Sequence, residues 1–299
     1  MALVVLTTAL PEEGLAPLAG HDLAGPEALA RADALLCVLT DRVDAALLAT
    51  APRLRAVGTV SVGHDHVDLA ACAARGVAVV NTPDVLTEAT ADVAFGLLIA
   101  AARGFSAAER ALRSGAWNGW TMDAFVAREV HGGTLGLVGY GRIGRAVARR
   151  AAAFGMTVLH HTRRDTGVPG WTGDLPELLR RSDFVSLHVP LTDETRHLVG
   201  ARELDLIGPD GVLVNTARGA VVDEAALAAA LAERRLFAAG LDVYEDEPRV
   251  HPALVASPHA VLLPHVGSAT TATRAAMTRL AAEGVAAVLR GETPPNLVR

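Results

Sequence analysis

Short apolar runs alternate with helical segments along most of this chain, and this alternation constrains the fold more than any other feature. The runs are rich in valine and leucine and suit strands that are buried on both faces of a parallel sheet. In the amino-terminal third the predicted strands are Leu3–Thr7, Ala34–Leu39, Arg55–Val60 and Val77–Val80. From Thr134 onward they lie at about 134–138, 156–161, 183–189, 211–217, 237–242 and 260–264. Because helical patterns separate the runs, the sequence predicts an α/β protein with two doubly wound parallel sheets.

The alternation is interrupted between the two series of strands, which indicates two domains. A long helix predicted from about Val85 to Arg103 follows the last strand of the first series. A final helix, from about Thr270 to Arg290, follows the last strand of the second series and is expected to return to the first domain. We therefore expect a larger domain over residues 100–267 and a smaller, discontinuous domain formed by residues 1–99 and 268–299.

Composition narrows the environment and the partners of the chain. Charged residues make up 20% of it, the net charge is −6 and no long basic run occurs, so nucleic acid is not expected as a partner. The opening Met1–Leu6 lacks the basic start of a signal peptide. The most apolar stretch, Val85–Ala102, carries two acidic residues and is interpreted as a buried helix rather than a membrane span. Cys37 and Cys72 are isolated, which favours reduced thiols in a cytoplasmic protein.

The chain contains no lysine: all of its 27 lysine-or-arginine positions are arginine. A Schiff base between a lysine and a carbonyl substrate or pyridoxal phosphate is therefore excluded. A Walker A phosphate loop, which requires its lysine, is excluded as well.

A glycine-rich loop, Gly139-Tyr140-Gly141-Arg142-Ile143-Gly144, joins an apolar run to an amphipathic helix. In this context Gly139 permits a tight turn, Gly141 lets the backbone approach a pyrophosphate, and Gly144 allows close packing of the helix. The amides of the first helical turn, which includes Arg142 and Ile143, would then face the phosphates. The loop predicts a dinucleotide site, and a purely structural glycine turn is the alternative.

The second strand of this series ends in His160-His161-Thr162-Arg163-Arg164. Sites that prefer NAD usually place an acidic residue here to bind the ribose hydroxyls. Thr162 and the two arginines suit the 2′-phosphate of NADP instead, because guanidinium groups form charge-assisted hydrogen bonds to phosphate. The sequence thus favours NADP(H), with NAD(H) possible, and the alternative interpretation is a solvated basic loop.

Arg218, Glu247 and His265 each come after an apolar run downstream of the glycine loop. If those runs are strands of one parallel sheet, the three side chains emerge at the edge that would hold the dinucleotide. Histidine exchanges protons near neutral pH, a carboxylate can fix its tautomer, and arginine binds a carboxylate or polarises a carbonyl. We expect a site that moves a hydride to or from an oxygen-bearing carbon. A capped strand end, a surface ion pair or an interdomain contact would explain each residue separately.

Six ordered motifs are spread over nearly the whole chain, namely Ser61–His66, Asn81–Thr87, Gly141–Gly144, Asn215–Gly219, Gly240–Val243 with Asp246–Pro248, and Pro264–Thr270. Together they resemble those of the D-isomer-specific 2-hydroxyacid dehydrogenases, and most closely the glyoxylate/hydroxypyruvate reductases. The resemblance implies a Rossmann-type cofactor domain over residues 100–267 and a smaller flavodoxin-like substrate domain. It also implies a homodimer.

In that family the residues that match Arg218, Glu247 and His265 are the catalytic set. The resemblance further implies that the amides of Val62 and Gly63, together with Arg218, His265 and Ser268, bind the substrate. Around the cofactor it implies a wider set, namely Thr90, Pro190, Thr195, Thr216, Ala217 and Asp242.

Some segments depart from the family pattern or suggest other chemistry. Residues 21–27 are shorter than the family's usual strand and loop, and residues 120–131 lack clear agreement. Trp117 or Trp120 would by resemblance reach the active site of a partner subunit. His64-Asp65-His66 could place two imidazoles on one face of a strand, but no further ligands occur at a suitable spacing, so no metal site is predicted.

The hypothesis from sequence is an enzyme that reduces glyoxylate and hydroxypyruvate to D-2-hydroxyacids with NAD(P)H. Another 2-hydroxyacid dehydrogenase, acting on D-lactate or branched 2-oxoacids, is one alternative. The other is a dinucleotide-sensing protein like the transcriptional corepressors built on the same scaffold, although the peptide groove and tails of those proteins are not recognised here. Phosphoglycerate dehydrogenase is disfavoured because no regulatory domain is recognised, and formate dehydrogenase because it has glutamine where this chain has Glu247.

Overall fold

The computed structural model describes residues 1–298 and divides the chain into two compact units. The smaller unit comprises Met1–Thr87 and the carboxyl-terminal residues from Ser268, and the larger unit comprises Glu88–Gly267. Each unit is built on a parallel sheet with helices. The predicted fold class is therefore confirmed.

The smaller unit has a five-stranded sheet in the order β2-β1-β3-β4-β5. Its strands are β1 (Leu3–Leu6), β2 (Asp22–Ala24), β3 (Ala34–Cys37), β4 (Ala56–Thr59) and β5 (Ala78–Val80). Its helices are α1 (Ala45–Thr50), α2 (Leu69–Ala74) and α10 (Thr271–Leu289), with three short 3₁₀ turns at Glu12–Gly14, Ala16–Leu18 and Pro26–Arg31. Asp44 and Asp68 cap α1 and α2 through hydrogen bonds from first-turn amides.

Strand β2 was not predicted from the sequence. It lies at the edge of the sheet, where it pairs in parallel with β1, and Asp22 and Leu23 are exposed. An exposed edge strand needs no continuous apolar run, so the pattern that revealed its neighbours is absent from it. The shortened segment 21–27 thus keeps a strand of three residues.

The larger unit has a seven-stranded parallel sheet in the order β12-β11-β10-β9-β6-β7-β8. Its strands are β6 (Thr134–Val138), β7 (Thr157–His161), β8 (Trp171–Thr172), β9 (Phe184–Leu187), β10 (Val212–Asn215), β11 (Ala238–Leu241) and β12 (Ala260–Leu262). Its helices are α3 (Thr87–Ala102), α4 (Phe105–Arg113), α5 (Arg142–Ala153), α6 (Leu175–Arg180), α7 (Ala201–Ile207), α8 (Glu224–Ala232) and α9 (Pro252–Ala256). Six strands were predicted here. The seventh, β8, has only two residues and was missed.

The predicted domain boundary after residue 99 falls inside α3, whereas the two units separate between Thr87 and Glu88. The reason lies in packing. Leu97, Leu98 and Ala101 are buried in the same core as Leu135 of β6, so the helix belongs with the larger sheet. An apolar helix between two α/β segments carries no sequence signal for which sheet it covers.

The order of strands reverses between β6 and β9 of the larger sheet. Such a switch point opens a crevice at the carboxyl ends of the strands, where doubly wound proteins bind their ligands. Within residues 1–298 no single helix is long and apolar enough to span a membrane. Helices α3 and α4 together have the necessary length and composition, with a 67° bend between them.

Candidate active site

Arg218, Glu247 and His265 lie on the loops that follow three adjacent parallel strands. The loops leave β10, β11 and β12, whose registers align Asn215 with Leu241 and Leu241 with Leu262. Because all three strands run the same way, the loops begin at the same edge of the larger sheet. The predicted placement of the three residues after strands of one sheet is therefore present in the structure.

His265 and Glu247 form a hydrogen-bonded pair, with 2.8 Å between Nδ1 of the histidine and Oε2 of the glutamate. The two side chains are 25% and 27% exposed. The other carboxylate oxygen of Glu247 accepts a hydrogen bond from the Tyr244 amide at 3.1 Å. Since Nδ1 is bound to the carboxylate, Nε2 at the outer end of the ring is the nitrogen that can exchange a proton with a substrate.

The surroundings of Glu247 keep it ionised. Burial by itself raises the pKa of the Glu247 carboxyl, but the hydrogen bond and charge of His265, the Tyr244 amide and the charge of Arg218 outweigh it and leave the pKa below its ordinary value. An ionised carboxylate at Nδ1 fixes the tautomer of the ring and stabilises the imidazolium.

Asp242 holds the loop that carries His265. Its two carboxylate oxygens accept hydrogen bonds from the Val266 and Gly267 amides, each at 2.7 Å, and its carbonyl accepts one from the His265 amide at 2.9 Å. Burial raises the pKa of Asp242 more than these amides and the charge of His265 lower it. Sequence reasoning placed Asp242 only at the cofactor and missed this support of the histidine loop.

Asn215 shapes the turn before Arg218. Its side chain accepts a hydrogen bond from the Ala217 amide at 3.0 Å and donates one to the Arg218 carbonyl at 2.8 Å, and it is almost fully buried. A Cβ atom at Gly219 would overlap the backbone carbonyl of Tyr244, so the turn packs directly on the loop after β11. The position therefore requires glycine.

Tyr244 and Glu224 connect these loops further, and neither was identified from sequence. The Tyr244 hydroxyl donates to the Leu263 carbonyl at 2.8 Å, which joins the loop of Glu247 to the loop of His265. Glu224, buried at the first turn of α8, accepts hydrogen bonds from the Glu245 and His251 amides. A glutamate early in a helix is typical of an ordinary surface position, so the sequence carries no signal for its role.

The glycine loop fits a bound pyrophosphate. Gly139 has φ +98°, and a Cβ atom there would lie 2.6 Å from the His188 carbonyl oxygen; one at Gly144 would overlap the Gly139 carbonyl. A Cβ atom at the exposed Gly141 would meet no protein atom within 4 Å, so protein packing does not explain that glycine. Gly141 also precedes α5 without providing a side-chain cap, so amides of the first turn, such as those of Ile143 and Gly144, are available to a ligand.

The remaining cofactor candidates of the larger unit differ in how their polar atoms are used. The Thr195 hydroxyl donates to the Pro190 carbonyl at 2.6 Å and accepts from the Thr192 amide at 2.8 Å, so it closes a turn after β9. Thr216 is buried, and its hydroxyl oxygen has no hydrogen-bond partner within residues 1–298. Such an orphaned buried group fits a site completed by a ligand. Thr90 is buried in α3, where its side chain borders the position of Gly267.

The loop after β7 begins at Thr162, whose hydroxyl donates to the Arg164 carbonyl at 2.7 Å. Arg163 forms an ion pair with Glu194 at 3.1 Å, but the two side chains are 86% and 72% exposed. Exposed pairs of this kind hold their partners only weakly, so the Arg163 guanidinium remains able to bind a phosphate. Arg164 is exposed beside it.

In the smaller unit, Val62 and Gly63 lie on the loop after β4, and side-chain hydrogen bonds to their carbonyls hold this loop. Asn81 donates to the Val62 carbonyl at 2.8 Å, and Ser61 donates to the Gly63 carbonyl at 2.6 Å. In the part of the chain that the structure describes, neither amide donates to a protein acceptor, so both are available to a ligand. Ser268 is half-buried, and its carbonyl accepts from the Thr270 amide at 2.8 Å. No group of three potential metal ligands occurs among residues 1–298.

Comparison with known proteins agrees with the resemblance drawn from the motifs. Residues 95–267 match the family model of the D-isomer specific 2-hydroxyacid dehydrogenase NAD binding domain. A glyoxylate reductase of Thermococcus litoralis is 45% identical over 281 residues, covering 91% of this chain and 85% of that protein. A glyoxylate reductase of Aeropyrum pernix is 47% identical over 278 residues, covering 89% of this chain and 83% of that protein.

Solved structures show the same similarity in three dimensions. A crystal structure of a protein from Thermus thermophilus superposes with a TM-score of 0.93 at 43% identity, covering 99% of this chain and 100% of that one. The NADPH-dependent glyoxylate/hydroxypyruvate reductase of Sinorhizobium meliloti, solved with NADP and malonate, has a TM-score of 0.90 at 34% identity, covering 99% and 96%.

The matched family model is that of a dinucleotide-binding domain, and the glycine loop lies within it. A nicotinamide dinucleotide is therefore the cofactor. The resemblance drawn from the sequence motifs is confirmed, and the chain belongs to the D-isomer specific 2-hydroxyacid dehydrogenase family of NAD(P)-dependent oxidoreductases.

Proposed function

We propose that this enzyme reduces small 2-oxoacids, glyoxylate and hydroxypyruvate, to D-2-hydroxyacids with NADPH as the preferred donor. The observation that carries the proposal is the His265–Glu247 pair, which lies on the same sheet edge as Arg218 and the glycine loop. The relatives named glyoxylate reductase, at 42–47% identity, support glyoxylate as a substrate. The larger unit, which carries the glycine loop, would hold the cofactor.

Each of the proposed catalytic side chains would have its own task. A bound nicotinamide dinucleotide would supply the hydride for the carbonyl carbon. His265, with Nδ1 held by Glu247, would donate the proton from Nε2 to the carbonyl oxygen and would act as base in the reverse direction. Arg218 would bind the substrate carboxylate or polarise the carbonyl, so that it stabilises negative charge developing on oxygen. The Val62 and Gly63 amides, with Ser268, would also bind the substrate.

The cofactor would bind along the carboxyl edge of the larger sheet. The loop Gly139–Gly144, which includes Arg142, would bind the pyrophosphate: Gly139 forms the turn, and the amides of Gly141, Ile143 and Gly144 would face the phosphates. Other contacts would come from residues that line the same edge, namely Thr90, Pro190, Thr195, Thr216, Ala217 and Asp242. Thr162, Arg163 and Arg164 would bind the 2′-phosphate, which is the basis for preferring NADPH.

One assay tests these assignments together. Purified enzyme is mixed with NADPH or NADH and with glyoxylate, hydroxypyruvate, pyruvate or phosphohydroxypyruvate, and nicotinamide absorbance is followed. We expect the highest kcat/KM with NADPH and with glyoxylate or hydroxypyruvate. Equal or higher kcat/KM with NADH would contradict the cofactor preference, and faster turnover of pyruvate would favour the lactate alternative. Tight dinucleotide binding without turnover of any substrate would favour a sensor.

We also propose that the enzyme is a homodimer that works in the cytoplasm. Helix α4 has no buried residue, and it begins a segment, residues 105–126, with many exposed apolar side chains: Phe105, Leu112, Trp117, Trp120, Met122, Phe125 and Val126. So many exposed apolar side chains within one segment are typical of an interface. The cytoplasmic assignment rests on the two free cysteines, Cys37 and Cys72, which are both buried.

Light scattering tests the dimer. We expect the wild type to have twice the mass of one chain, and Leu112→Asp to shift it toward the monomer because the charge would be buried in the interface. Wild-type enzyme of monomeric mass would contradict the proposal. Trp117→Ala and Trp120→Ala would separately show, through KM, whether either tryptophan reaches a partner's site.

A further inference from the structure

His160 lies in strand β7, which precedes Arg163 and Arg164, and its side chain contacts the glycine loop. Its ring stacks on Tyr140, with ring centroids 3.8 Å apart and planes inclined by 21°. The histidine is fully buried, near the end of β7, and is aligned with Leu137 of the neighbouring strand β6. The imidazole thus lies against the second residue of the glycine loop, which is the loop proposed to bind the pyrophosphate.

The Nε2 atom of the His160 ring contacts the segment that carries the two arginines, residues 162–170. Its Nε2 atom is 2.7 Å from the hydroxyl oxygen of Thr166, which also accepts a hydrogen bond from the Val168 amide at 3.2 Å. The His160 amide donates to the Gly170 carbonyl at 2.8 Å. His160 therefore contacts this segment near its middle and at its end, while Arg163 and Arg164 lie between the strand and Thr166.

The same series of contacts continues into helix α5. The Arg145 guanidinium lies 5.9 Å from the centre of the Tyr140 ring, and its Nε donates to the Tyr140 carbonyl at 3.1 Å. The first turns of α5, the glycine loop, β7 and the 162–170 segment are consequently linked through two stacked rings. The glycine loop and the segment of the two arginines therefore contact the same pair of rings.

The chemistry of the imidazole indicates that packing alone does not explain it. Burial lowers the pKa of His160, which keeps the ring neutral. A neutral imidazole has one donor and one acceptor nitrogen, and Nδ1 is buried without a hydrogen-bond partner in the described chain. A phenyl ring would stack on Tyr140 equally well and leave no polar atom unsatisfied. What the imidazole adds is the hydrogen bond to Thr166.

We propose that His160 is a positioning residue for cofactor choice. By tying Thr166 to the glycine loop through Tyr140, it holds Arg163 and Arg164 where they distinguish a 2′-phosphate from a 2′-hydroxyl. The inference rests on the proposed 2′-phosphate site and adds to it the residue that sets the site's geometry. His160 itself would touch neither the substrate nor the reacting atoms.

The test uses cofactor fragments and calorimetry, so it needs no turnover. Adenosine 2′,5′-bisphosphate and AMP differ in the 2′-phosphate, and their Kd values are measured for wild type and four variants. His160→Phe keeps the stacking and removes the hydrogen bond to Thr166. Thr166→Val removes the same bond and also the acceptor of the Val168 amide, whereas Thr166→Ser keeps the hydroxyl. The fourth variant combines His160→Phe with Thr166→Val. Unfolding temperatures and circular dichroism control for folding.

The loss of one hydrogen bond should weaken binding of the bisphosphate about 3–10-fold in His160→Phe and Thr166→Val. Binding of AMP should change by less than about twofold, Thr166→Ser should resemble wild type, and the double variant should be no weaker than either single one. The ratio of kcat/KM for NADPH to that for NADH should fall by the same factor.

Equal weakening of both fragments would overturn the inference, because it would indicate general loosening rather than discrimination. Unchanged Kd values, or additive losses in the double variant, would overturn it too. If His160→Phe does not fold, the Kd values of Thr166→Val for the two fragments test the inference without it. If the wild type prefers NADH but the ratio of the two Kd values still changes in the variants, only the NADPH preference is contradicted. If the wild type binds neither fragment, both proposals are overturned.

Discussion

Two histidine–carboxylate pairs lie on the same edge of the larger unit, and they differ in which nitrogen is used. Glu245 and Glu247 are two residues apart on the loop after β11. Glu247 accepts from Nδ1 of His265 at 2.8 Å, whereas Glu245 contacts Nε2 of His197 at 2.6 Å. The outer nitrogen of His265 is thus left for a substrate, while that of His197 is occupied by its carboxylate.

Their surroundings differ as well. In the His265–Glu247 pair, the Glu247 carboxylate accepts a hydrogen bond from the Tyr244 amide, and the charge of Arg218 lowers its pKa. The two side chains are only about a quarter exposed. The His197–Glu245 side chains are 42% and 33% exposed. A histidine beside a carboxylate is therefore not by itself evidence of catalysis. The free nitrogen and the neighbouring arginine distinguish the pair that we propose to be catalytic.

The largest effect is expected from His265→Ala. It removes the proposed proton donor, and kcat should fall by about 10²–10⁴-fold, the usual contribution of general acid catalysis. Steady-state nicotinamide absorbance measures kcat, and a dinucleotide titration serves as the control because cofactor binding should persist. Turnover at the wild-type rate would remove the distinction between the two pairs.

Glu247→Gln should come next. Glutamine keeps the size of the side chain but loses the charge that stabilises the imidazolium. It also has one acceptor oxygen where Glu247 uses two, so an oxygen kept on the Tyr244 amide would turn the NH2 group toward Nδ1 and disfavour the tautomer that is needed. We therefore expect kcat to fall by about 10²-fold or more. The matched control is Glu245→Gln two residues away, which should change kcat by less than about threefold. If the two glutamine variants lose activity equally, the assignment of roles is wrong.

The pH dependence of stability tests whether Glu247 of the proposed catalytic pair is ionised in the fold. The pKa of Glu247 in the fold is below its ordinary value of 4.5, so the ionised group stabilises the fold above that pH, and this contribution is lost as the pH falls through the folded pKa. Asp242 affects the pH dependence of stability with the opposite sign, because burial raises its pKa and its contribution is lost as the pH rises. Urea unfolding should show a difference in unfolding free energy between wild type and Glu247→Gln that shrinks as the pH falls below 4.5. A difference independent of pH would argue against an ionised Glu247.

The smallest effect is expected from His197→Ala. Exposed pairs contribute about 0.2–1 kcal/mol to stability, and the free energy of unfolding should fall by no more than that. We expect kcat to remain within about threefold of wild type. A loss of activity like that of His265→Ala would show that the more exposed pair shares the catalytic task.

Local patterns made much of this molecule predictable. Helix α5 begins and ends where the glycine loop and the amphipathic pattern place it, and the strands predicted from apolar runs differ from the observed ones only at their ends. Strands β2 and β8 were missed because one is exposed and the other has two residues. Helix α3 was divided between domains because its apolar surface does not reveal its partner sheet.

The sequence by itself determined the fold class, the dinucleotide loop, and the fact that Arg218, Glu247 and His265 each follow a predicted strand. These features depend on local periodicity and on short motifs, which a linear chain displays. Only the tertiary structure decided that Nδ1 of His265 meets Glu247, that Asp242 holds the histidine loop, and that His160 stacks on Tyr140. Such contacts join residues that are well separated along the chain, and their existence depends on how separate loops pack at one sheet edge, which no local pattern records.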